Sequence, residues 1–328
     1  MEKQKLNELI SLWDIGEILT FKKATEGAVN YNYIIKTSKG KYILRKFCAE
    51  HGINNINFEM SYLNYLSEKK FPYEIPNPLL NKKNKRLIKI EKDFFCLYKY
   101  IEGNHLKESR PRELSEIALM IARMHNLLEK SNLNNGVKNQ EDFGRKGIIN
   151  EMKEFILKIP SRKNQRDKIF LKESKSLIEI LGGLNSKNYN SLKKYPIHRD
   201  FNPQNILWKN NKIVGIIDFE NVGRINDAFV RDIAIIFQYF CSNKEKNFNS
   251  KKAKFFLREY EKYRRLSNKE KEVIIDLMIA TNIEDFGFAY WLLVNTPERA
   301  KLSHLNKYSK MSKYLSKNRE KFIKELIN

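Results

Sequence analysis

The sequence has few of the residues that mark a fibrous, linker-rich or disulfide-rich protein. Its 328 residues include only 13 glycines, 8 prolines and 3 cysteines. The low glycine and proline contents argue against collagen-like, linker-rich or turn-dense all-β architectures. Hydrophobic residues make up 41% and aromatic residues 12% of the chain. That content is enough for a large buried core, and it excludes an intrinsically disordered chain.

The cysteines and the apolar runs bear on the location of the protein. The three cysteines, Cys48, Cys96 and Cys241, lie far apart without CxxC spacing, so we interpret them as reduced structural thiols rather than disulfides or zinc ligands. The longest nearly unbroken apolar run, residues 286–294, is too short to cross a membrane. No apolar stretch follows residues 1–5, so we expect no secretory signal. These features predict a cytoplasmic protein without a membrane partner.

The charge of the chain is strongly positive. It has 62 Lys and Arg residues against 39 Asp and Glu residues, a formal net charge of +23. Such an excess can indicate binding to nucleic acid or to an anionic membrane surface. The basic residues are dispersed among polar ones, however, and no zinc-finger, RNP or helix-turn-helix motif accompanies them. We therefore interpret the charge as a solvated surface and do not expect nucleic acid as a partner.

Two regimes follow one another along the chain. In the first hundred residues, strand-like segments at 29–37 and 41–47 flank a turn and predict a hairpin. A helix over 56–69 and strands over 86–90 and 94–100 follow. From Glu113 onward the apolar spacing is helical. The predicted helices cover 114–128, 148–157, 169–181 and most of the chain after about 230, with a strand-like segment at 197–218.

These regimes predict the fold class and the domains. We expect an α+β fold with a β-rich lobe over residues 1–100 and a larger, mostly helical lobe over residues 101–328. A short crossing near residues 98–103 would join them.

The residues that can carry chemistry lie in the strand-like segment, where residues 197–207 read IHRDFNPQNIL and residues 213–220 read IVGIIDFE. Phosphoryl transfer needs a carboxylate for the proton of the attacking hydroxyl group and oxygen ligands for Mg²⁺ on the nucleotide phosphates. Asp200 and Asn205 lie five residues apart on one loop, which can direct the first at the nucleophile and the second at a metal. Asp218 ends an apolar strand and can complete the Mg²⁺ site.

This segment resembles the aminoglycoside phosphotransferase and choline kinase-like family, the small-molecule branch of the protein-kinase fold. Most members carry HGDxxxxN followed by ID[FW][DE]; here Arg199 replaces the usual glycine, and residues 217–220 match the second motif. The resemblance implies a bilobal kinase-like fold and ATP-dependent transfer of the γ-phosphoryl group to a hydroxyl group. It implies ATP and Mg²⁺ as cofactors, with Asp200 as catalytic base and with Asn205 and Asp218 as metal ligands.

The resemblance extends into the first hundred residues. Residues 27–33 match the GxxNxxY of the hairpin that covers the nucleotide, and residues 42–45 match the next strand, where a basic residue contacts phosphate, with Lys46 as the fallback. The following helix would supply an acidic ion-pair partner, and residues 95–103 resemble the hinge whose backbone would bind adenine. The nucleotide-binding residues implied by the match are Gly27, Asn30, Arg45, Glu59, Tyr98 and Tyr100.

Several neighbouring residues have a structural interpretation. We expect His198 to be a hydrogen-bonding residue of the loop, because Asp200 already fills the role of base, and we expect Asp232 to hold the loop by hydrogen bonds. The DFG at residues 285–287 lies within a helical pattern, so we interpret it as ordinary helix. Residues 282–291 combine two acids with four aromatics. They could bind a cationic amine, or the aromatics could be helix core with the acids facing solvent.

The identity of the acceptor remains open at this stage. The resemblance implies a small-molecule hydroxyl acceptor: an amino alcohol, an amino acid, a sugar, or an aminoglycoside- or macrolide-type antibiotic. One alternative is a protein kinase-like enzyme, but residues 220–232 leave little room for an activation segment. The other alternative is a catalytically inactive, nucleic-acid-binding scaffold on the same fold, and the intact Asp200, Asn205 and Asp218 count against it.

Overall fold

The computed structural model describes residues 3–24, 30–48, 52–133, 137–243 and 247–327. Its contacts divide the chain into two compact units. The described residues up to Asn104 form the first unit together with Ile206–Gly223, and His105–Asn205 form the second unit with the described residues from Arg224 onward. The first unit is rich in strands and the second is mostly helical. The predicted α+β fold class is confirmed.

The first unit is built on a five-stranded antiparallel sheet. The elements of this unit are α1 (Lys3–Ile10), β1 (Ile18–Lys23), β2 (Tyr31–Thr37), β3 (Gly40–Lys46), α2 (Gly52–Glu68), β4 (Ile88–Ile90), β5 (Asp93–Lys99), β7 (Ile206–Lys209) and β8 (Lys212–Ile216), and the two-residue strand β6 (Asn104–His105) lies at its boundary. The strands of the sheet follow the order β1-β2-β3-β5-β4, and a short antiparallel pair, β7-β8, comes later in the chain.

The predicted hairpin is confirmed as β2 and β3, although its residue Val29 lies outside the described residues. Side chains on one face of the sheet pack into a buried apolar cluster. Ile35, Leu44 and Leu97 are fully buried on that face, and Trp13 just after α1 packs against them. The register places Arg45 on β3 opposite Asn32 on β2 and Cys96 on β5.

The unit boundaries differ from the predicted ranges 1–100 and 101–328, because residues 206–223 group with the first unit. The backbone N–H of Ile216 donates to Glu74 O over 2.9 Å, and the N–H of Glu74 donates to Val214 O over 2.9 Å. A Cβ on Gly215 would lie 2.7 Å from Ile101 Cγ2 and 3.1 Å from Glu74 O, so glycine permits this close approach. These contacts join residues about 140 positions apart, and local sequence patterns do not report them.

The second unit is a helical assembly. The predicted helices are confirmed. The observed helices extend a few residues beyond the apolar patterns from which they were predicted. Its helices are α3 (Pro111–Glu129), α4 (Arg145–Lys158), α5 (Gln165–Gly182), α6 (Lys187–Ser191), α7 (Val230–Phe240), α8 (Ser250–Glu261), α9 (Asn268–Asn295), α10 (Leu302–Lys317) and α11 (Arg319–Ile327).

Helix α9 is the central helix of this unit. It begins with a capping box in which the Ser267 hydroxyl accepts from Glu270 N and the Glu270 carboxylate accepts from Ser267 N over 2.8 Å. By length and composition α9 could cross a membrane, but 67% of its most apolar window is buried inside the protein, as in a core helix. The DFG at 285–287 lies within α9, as predicted.

Candidate active site

The loop that carries the predicted base is held by its own side chains. The Asp200 carboxylate accepts hydrogen bonds from Asn202 Nδ2 and from Asn205 Nδ2, each over 2.8 Å, one at each oxygen. Asn205 Nδ2 also donates to Asp200 O over 2.9 Å. Such side-chain bonds to nearby backbone compete with strand formation, which explains why the strand-like segment predicted at 197–218 begins as a loop. The two amides leave Asp200 half-buried with a fixed carboxylate plane.

Two buried side chains also hydrogen-bond to the backbone of this loop. Asp232, near the start of α7, accepts a hydrogen bond from the backbone N–H of Arg199 over 2.8 Å. Its second oxygen lies 3.3 Å from Nε2 of the buried His125. His198 is fully buried, and its Nδ1 accepts from Asp200 N over 3.2 Å. Both His198 and Asp232 therefore have the structural positions that the sequence predicted for them.

Arg199 is strained in its backbone and paired through its side chain. Its φ of +60° lies in the left-handed region, where a residue other than glycine is disfavoured by about 1–2 kcal/mol. Its guanidinium group lies 3.8 Å from the buried Asp227 and 3.5 Å from Glu284 on α9. Arg199 thus occupies the glycine position of related motifs at the cost of an unfavourable φ. Its side chain connects the loop to α9.

A second group of predicted residues comes together in the first unit. Arg45 on β3 forms an ion pair of 3.2 Å with Glu59 on α2, and its other nitrogen lies 3.7 Å from Asp218. Both Arg45 and Glu59 are buried. The fallback residue Lys46 faces elsewhere, because it pairs with Asp93 over 2.5 Å. The geometry therefore favours Arg45 over Lys46 at this group, and its contact with phosphate stays a prediction.

Burial controls the protonation of this ion pair. Removal from water by itself disfavours the charged guanidinium group of Arg45, but Tyr98 and the carboxylates of Glu59 and Asp218 raise its pKa above the ordinary value. Burial raises the pKa of the Glu59 carboxyl to about 7, while Arg45 opposes that shift and Asp218 adds to it. Arg45 is therefore a permanent cation at the place where the sequence predicts contact with phosphate.

The hairpin residue Asn30 connects to the second motif. Its Nδ2 donates to Glu220 Oε2 over 2.6 Å, and its Oδ1 accepts from Cys48 N over 2.9 Å. Asn30 thus fixes the carboxylate two residues after Asp218, which the sequence did not predict. The predicted Gly27 lies outside the described residues, so its role stays a prediction.

The two predicted hinge residues have different surroundings. Tyr98 is 3% exposed on β5, opposite Ile43, and its ring centroid lies 5.6 Å from the Arg45 guanidinium carbon. The backbone N–H of Tyr100 donates to Lys41 O over 2.9 Å. Adenine binding by either residue stays a prediction. The ring of Tyr98 lies close to the Arg45 guanidinium group of the Arg45–Glu59 ion pair.

The predicted metal ligands lie in different units, Asp218 in the first and Asn205 in the second. Their donor atoms suit Mg²⁺. The amide nitrogen of Asn205 donates a hydrogen bond to Asp200, so its hard oxygen donor is Oδ1, and the Asp218 side chain is 30% exposed. Among the described residues there is no group of three His, Cys, Asp or Glu that could hold a metal. Each residue carries a hard oxygen donor of the kind that Mg²⁺ prefers, and their joint role as metal ligands stays a prediction.

The segment 282–291, with its two acids and four aromatics, is partly helix core. Phe286 is fully buried, and the Tyr290 hydroxyl donates to the buried Asp167 over 2.9 Å, so part of the segment is core. The acids do not simply face solvent. Glu284 lies by Arg199, and Asp285 accepts a hydrogen bond from Gln238 Nε2 on α7 over 2.5 Å.

Sequence reasoning missed the buried ion pair beside the loop. Arg231 is 1% exposed and lies 3.0 Å from Asp227, with further hydrogen bonds to Thr281 and to Phe143 O. The sequence feature that could have indicated this pair is the i, i+4 spacing of Asp227 and Arg231 near the start of α7. That spacing alone does not distinguish a buried pair from a surface pair.

Comparison with known proteins gives a consistent result. The sequence model of the family described as "Phosphotransferase enzyme family" matches residues 20–266. A homoserine kinase of Parvibaculum lavamentivorans is 25% identical over 274 residues, which cover 81% of this chain and 78% of the relative. Further bacterial homoserine kinases match at 22–24% identity.

Solved structures share the fold. Spectinomycin phosphotransferase in complex with ADP and spectinomycin superposes with a TM-score of 0.72 at 13% identity and covers 98% of this chain and 99% of its own. An amicoumacin kinase in complex with AMP-PNP, Ca²⁺ and Ami superposes with a TM-score of 0.67 at 17% identity, over 98% of this chain and 94% of its own.

Proposed function

Since the chain belongs to the phosphotransferase enzyme family and is an ATP-dependent kinase of a small-molecule hydroxyl group, we propose that its acceptor is homoserine or a closely similar hydroxylated amino acid. The observation that supports this acceptor is the match to homoserine kinases over four fifths or more of the chain. The predicted reaction class is thereby confirmed, and the choice of acceptor is our proposal.

In the proposed reaction Asp200 is the base. The acceptor hydroxyl oxygen forms a bond to the γ-phosphorus of ATP, the bond from that phosphorus to the β,γ-bridging oxygen breaks, and the hydroxyl proton passes to the Asp200 carboxylate. The amides of Asn202 and Asn205 keep that carboxylate oriented. A positioned base of this kind contributes about a hundredfold to ten-thousandfold in rate.

The remaining residues handle the nucleotide. Arg45, held by Glu59, would neutralise the α- and β-phosphates, and Asp218 with Asn205 would hold Mg²⁺. Bound Mg²⁺ supplies charge neutralisation for the phosphates and for the leaving ADP. We also propose a cytoplasmic location, which is supported by the use of ATP and by three cysteines that are free thiols.

The test is an acceptor screen with the intact protein. ATP consumption is measured with homoserine, an aminopropanol, choline and an aminoglycoside, and the products are analysed by mass spectrometry. We expect phosphorylated homoserine as the main product. A phosphorylated aminoglycoside or choline with unchanged homoserine would contradict the proposed acceptor while leaving the reaction class intact.

A further inference from the structure

The surroundings of the catalytic loop in the second unit contain charged residues that the proposed reaction does not use. Helix α9 contacts both α7 and α10. The loop reaches α9 through Arg199, whose side chain lies 3.5 Å from Glu284. Asp200 directly follows Arg199 in the sequence, and Asp285 directly follows Glu284. Both carboxylates therefore belong to the same region of the second unit.

Two tyrosines lie in this region and define what we call the phenol pair, Tyr239 at the end of α7 and Tyr308 on α10. Both rings lie within cation–π distance of the Lys307 ammonium, and both side chains are only partly exposed. Burial raises the pKa of each phenol, and the negative charges of Asp285 and Asp200 raise it further. Both carboxylates therefore act electrostatically on the same two phenols.

Asp285 is held in a defined orientation. Gln238, the residue before Tyr239, is 1% exposed and donates from Nε2 to Asp285 Oδ2 over 2.5 Å. The Asp285 side chain is half-buried. A half-buried carboxylate next to aromatic rings is a typical recognition element for an ammonium group, since the carboxylate supplies charge and the ring faces add cation–π attraction.

The side chain of Lys307 places a cation next to the phenol pair. The Lys307 ammonium lies 4.8 Å from the ring centroid of Tyr308 and 5.9 Å from that of Tyr239. The ion pairs recorded for the described part of the chain do not include Lys307. Its side chain is half-buried, so a counter-charge supplied by a bound molecule would gain more here than on the open surface.

We propose that Asp285 binds the ammonium group and Lys307 the carboxylate of the acceptor beside the phenol pair, while its hydroxyl group lies at Asp200. The pocket thus selects a zwitterionic amino acid that carries a hydroxyl group. This inference rests on the proposed function. It goes beyond it by assigning the two charged groups of the acceptor to two side chains and by predicting which analogues the enzyme rejects.

The test compares three acceptors that differ in one charged group at a time. Homoserine carries both charges, 3-aminopropan-1-ol lacks the carboxylate, and 4-hydroxybutanoate lacks the ammonium group. The ratio of kcat/KM values for two acceptors is independent of the active fraction of a preparation. Partial misfolding of a variant therefore does not affect the result.

The variants are Asp285→Asn, Lys307→Gln and the control Lys310→Gln, an exposed lysine on the same helix. Lys307→Gln should lower the preference for homoserine over 3-aminopropan-1-ol by about ten- to a hundredfold, the scale of a lost hydrogen bond to a charged group, and leave the preference over 4-hydroxybutanoate nearly unchanged. Asp285→Asn should give the reverse pattern. Lys310→Gln should change neither preference.

The outcomes separate the two proposals. If the wild-type enzyme phosphorylates homoserine but both variants leave the two preferences unaltered or change them equally, the charge assignment is wrong and the function stands. If calorimetry shows that homoserine binds the wild type, and binds more weakly to both variants, without any phosphorylated product, the pocket stands and the proposed reaction is wrong.

Discussion

The Asp232 carboxylate accepts a hydrogen bond from the backbone N–H of Arg199 over 2.8 Å, one residue before the proposed base. The bond holds a peptide unit whose φ of +60° is unfavourable for arginine. We therefore expect Asp232 to affect catalysis through the position of Asp200, since its hydrogen bond supports an unfavourable backbone conformation.

Replacing Asp232 by alanine should lower kcat by about ten- to a hundredfold, because a misplaced catalytic group loses rate on this scale. The KM for ATP should change little, since Asp232 touches neither Arg45 nor Asp218 in the contacts recorded for the described residues. Asp232→Asn retains an oxygen acceptor for the Arg199 N–H and should recover part of the loss. Steady-state kinetics of both variants tests this, and equal activity of the alanine and asparagine variants would argue against a positioning role.

The buried His125 should make stability depend on pH. Burial lowers its pKa below the ordinary value of 6.5, and Asp232 opposes the shift only in part. Below pH 6.5 the unfolded chain takes up a proton that the folded protein excludes, so the free energy of unfolding falls as the pH drops through this range. His125→Gln should remove this part of the dependence. Urea unfolding of both proteins between about pH 7.5 and about pH 5 measures it, and parallel curves would show that His125 does not contribute.

Asp218 should act on the nucleotide through the metal. Asp218→Ala should weaken binding of Mg·ATP by at least about tenfold more than binding of metal-free ATP, because Arg45 keeps its partner Glu59 in the variant. Calorimetric titrations with and without Mg²⁺ compare the two losses. Asp93→Ala removes a carboxylate paired with Lys46 in the same unit and serves as the control. Equal losses in the two titrations of Asp218→Ala would remove this residue from the metal site.

Local patterns predicted much of the fold and of the site. The hairpin around 38–40 and the long helices follow from periodicity, and the Arg45–Glu59 pair follows from a family resemblance that the structure supports with a distance. Helix α1 was not predicted, although Leu6, Leu9 and Ile10 have helical spacing, because eight residues are too few for that signal to stand out.

Other features could not be predicted, because they join distant parts of the chain. Tyr239 and Tyr308 are 69 positions apart in the sequence, and neither belongs to a motif. The grouping of residues 206–223 with the first unit depends on backbone hydrogen bonds to Glu74. Local periodicity does not specify which helices pack together, so contacts of this kind require the structure.

The central claim is that Asp200 takes the proton of the acceptor hydroxyl group, and the variant Asp200→Asn tests it most directly. Nucleotide binding by calorimetry should remain near the wild-type value, and turnover on homoserine should fall by about two to four orders of magnitude. The control is Asp14→Asn, which changes an exposed carboxylate paired with Lys39 and should retain full activity. Wild-type turnover by Asp200→Asn on homoserine would contradict the mechanism.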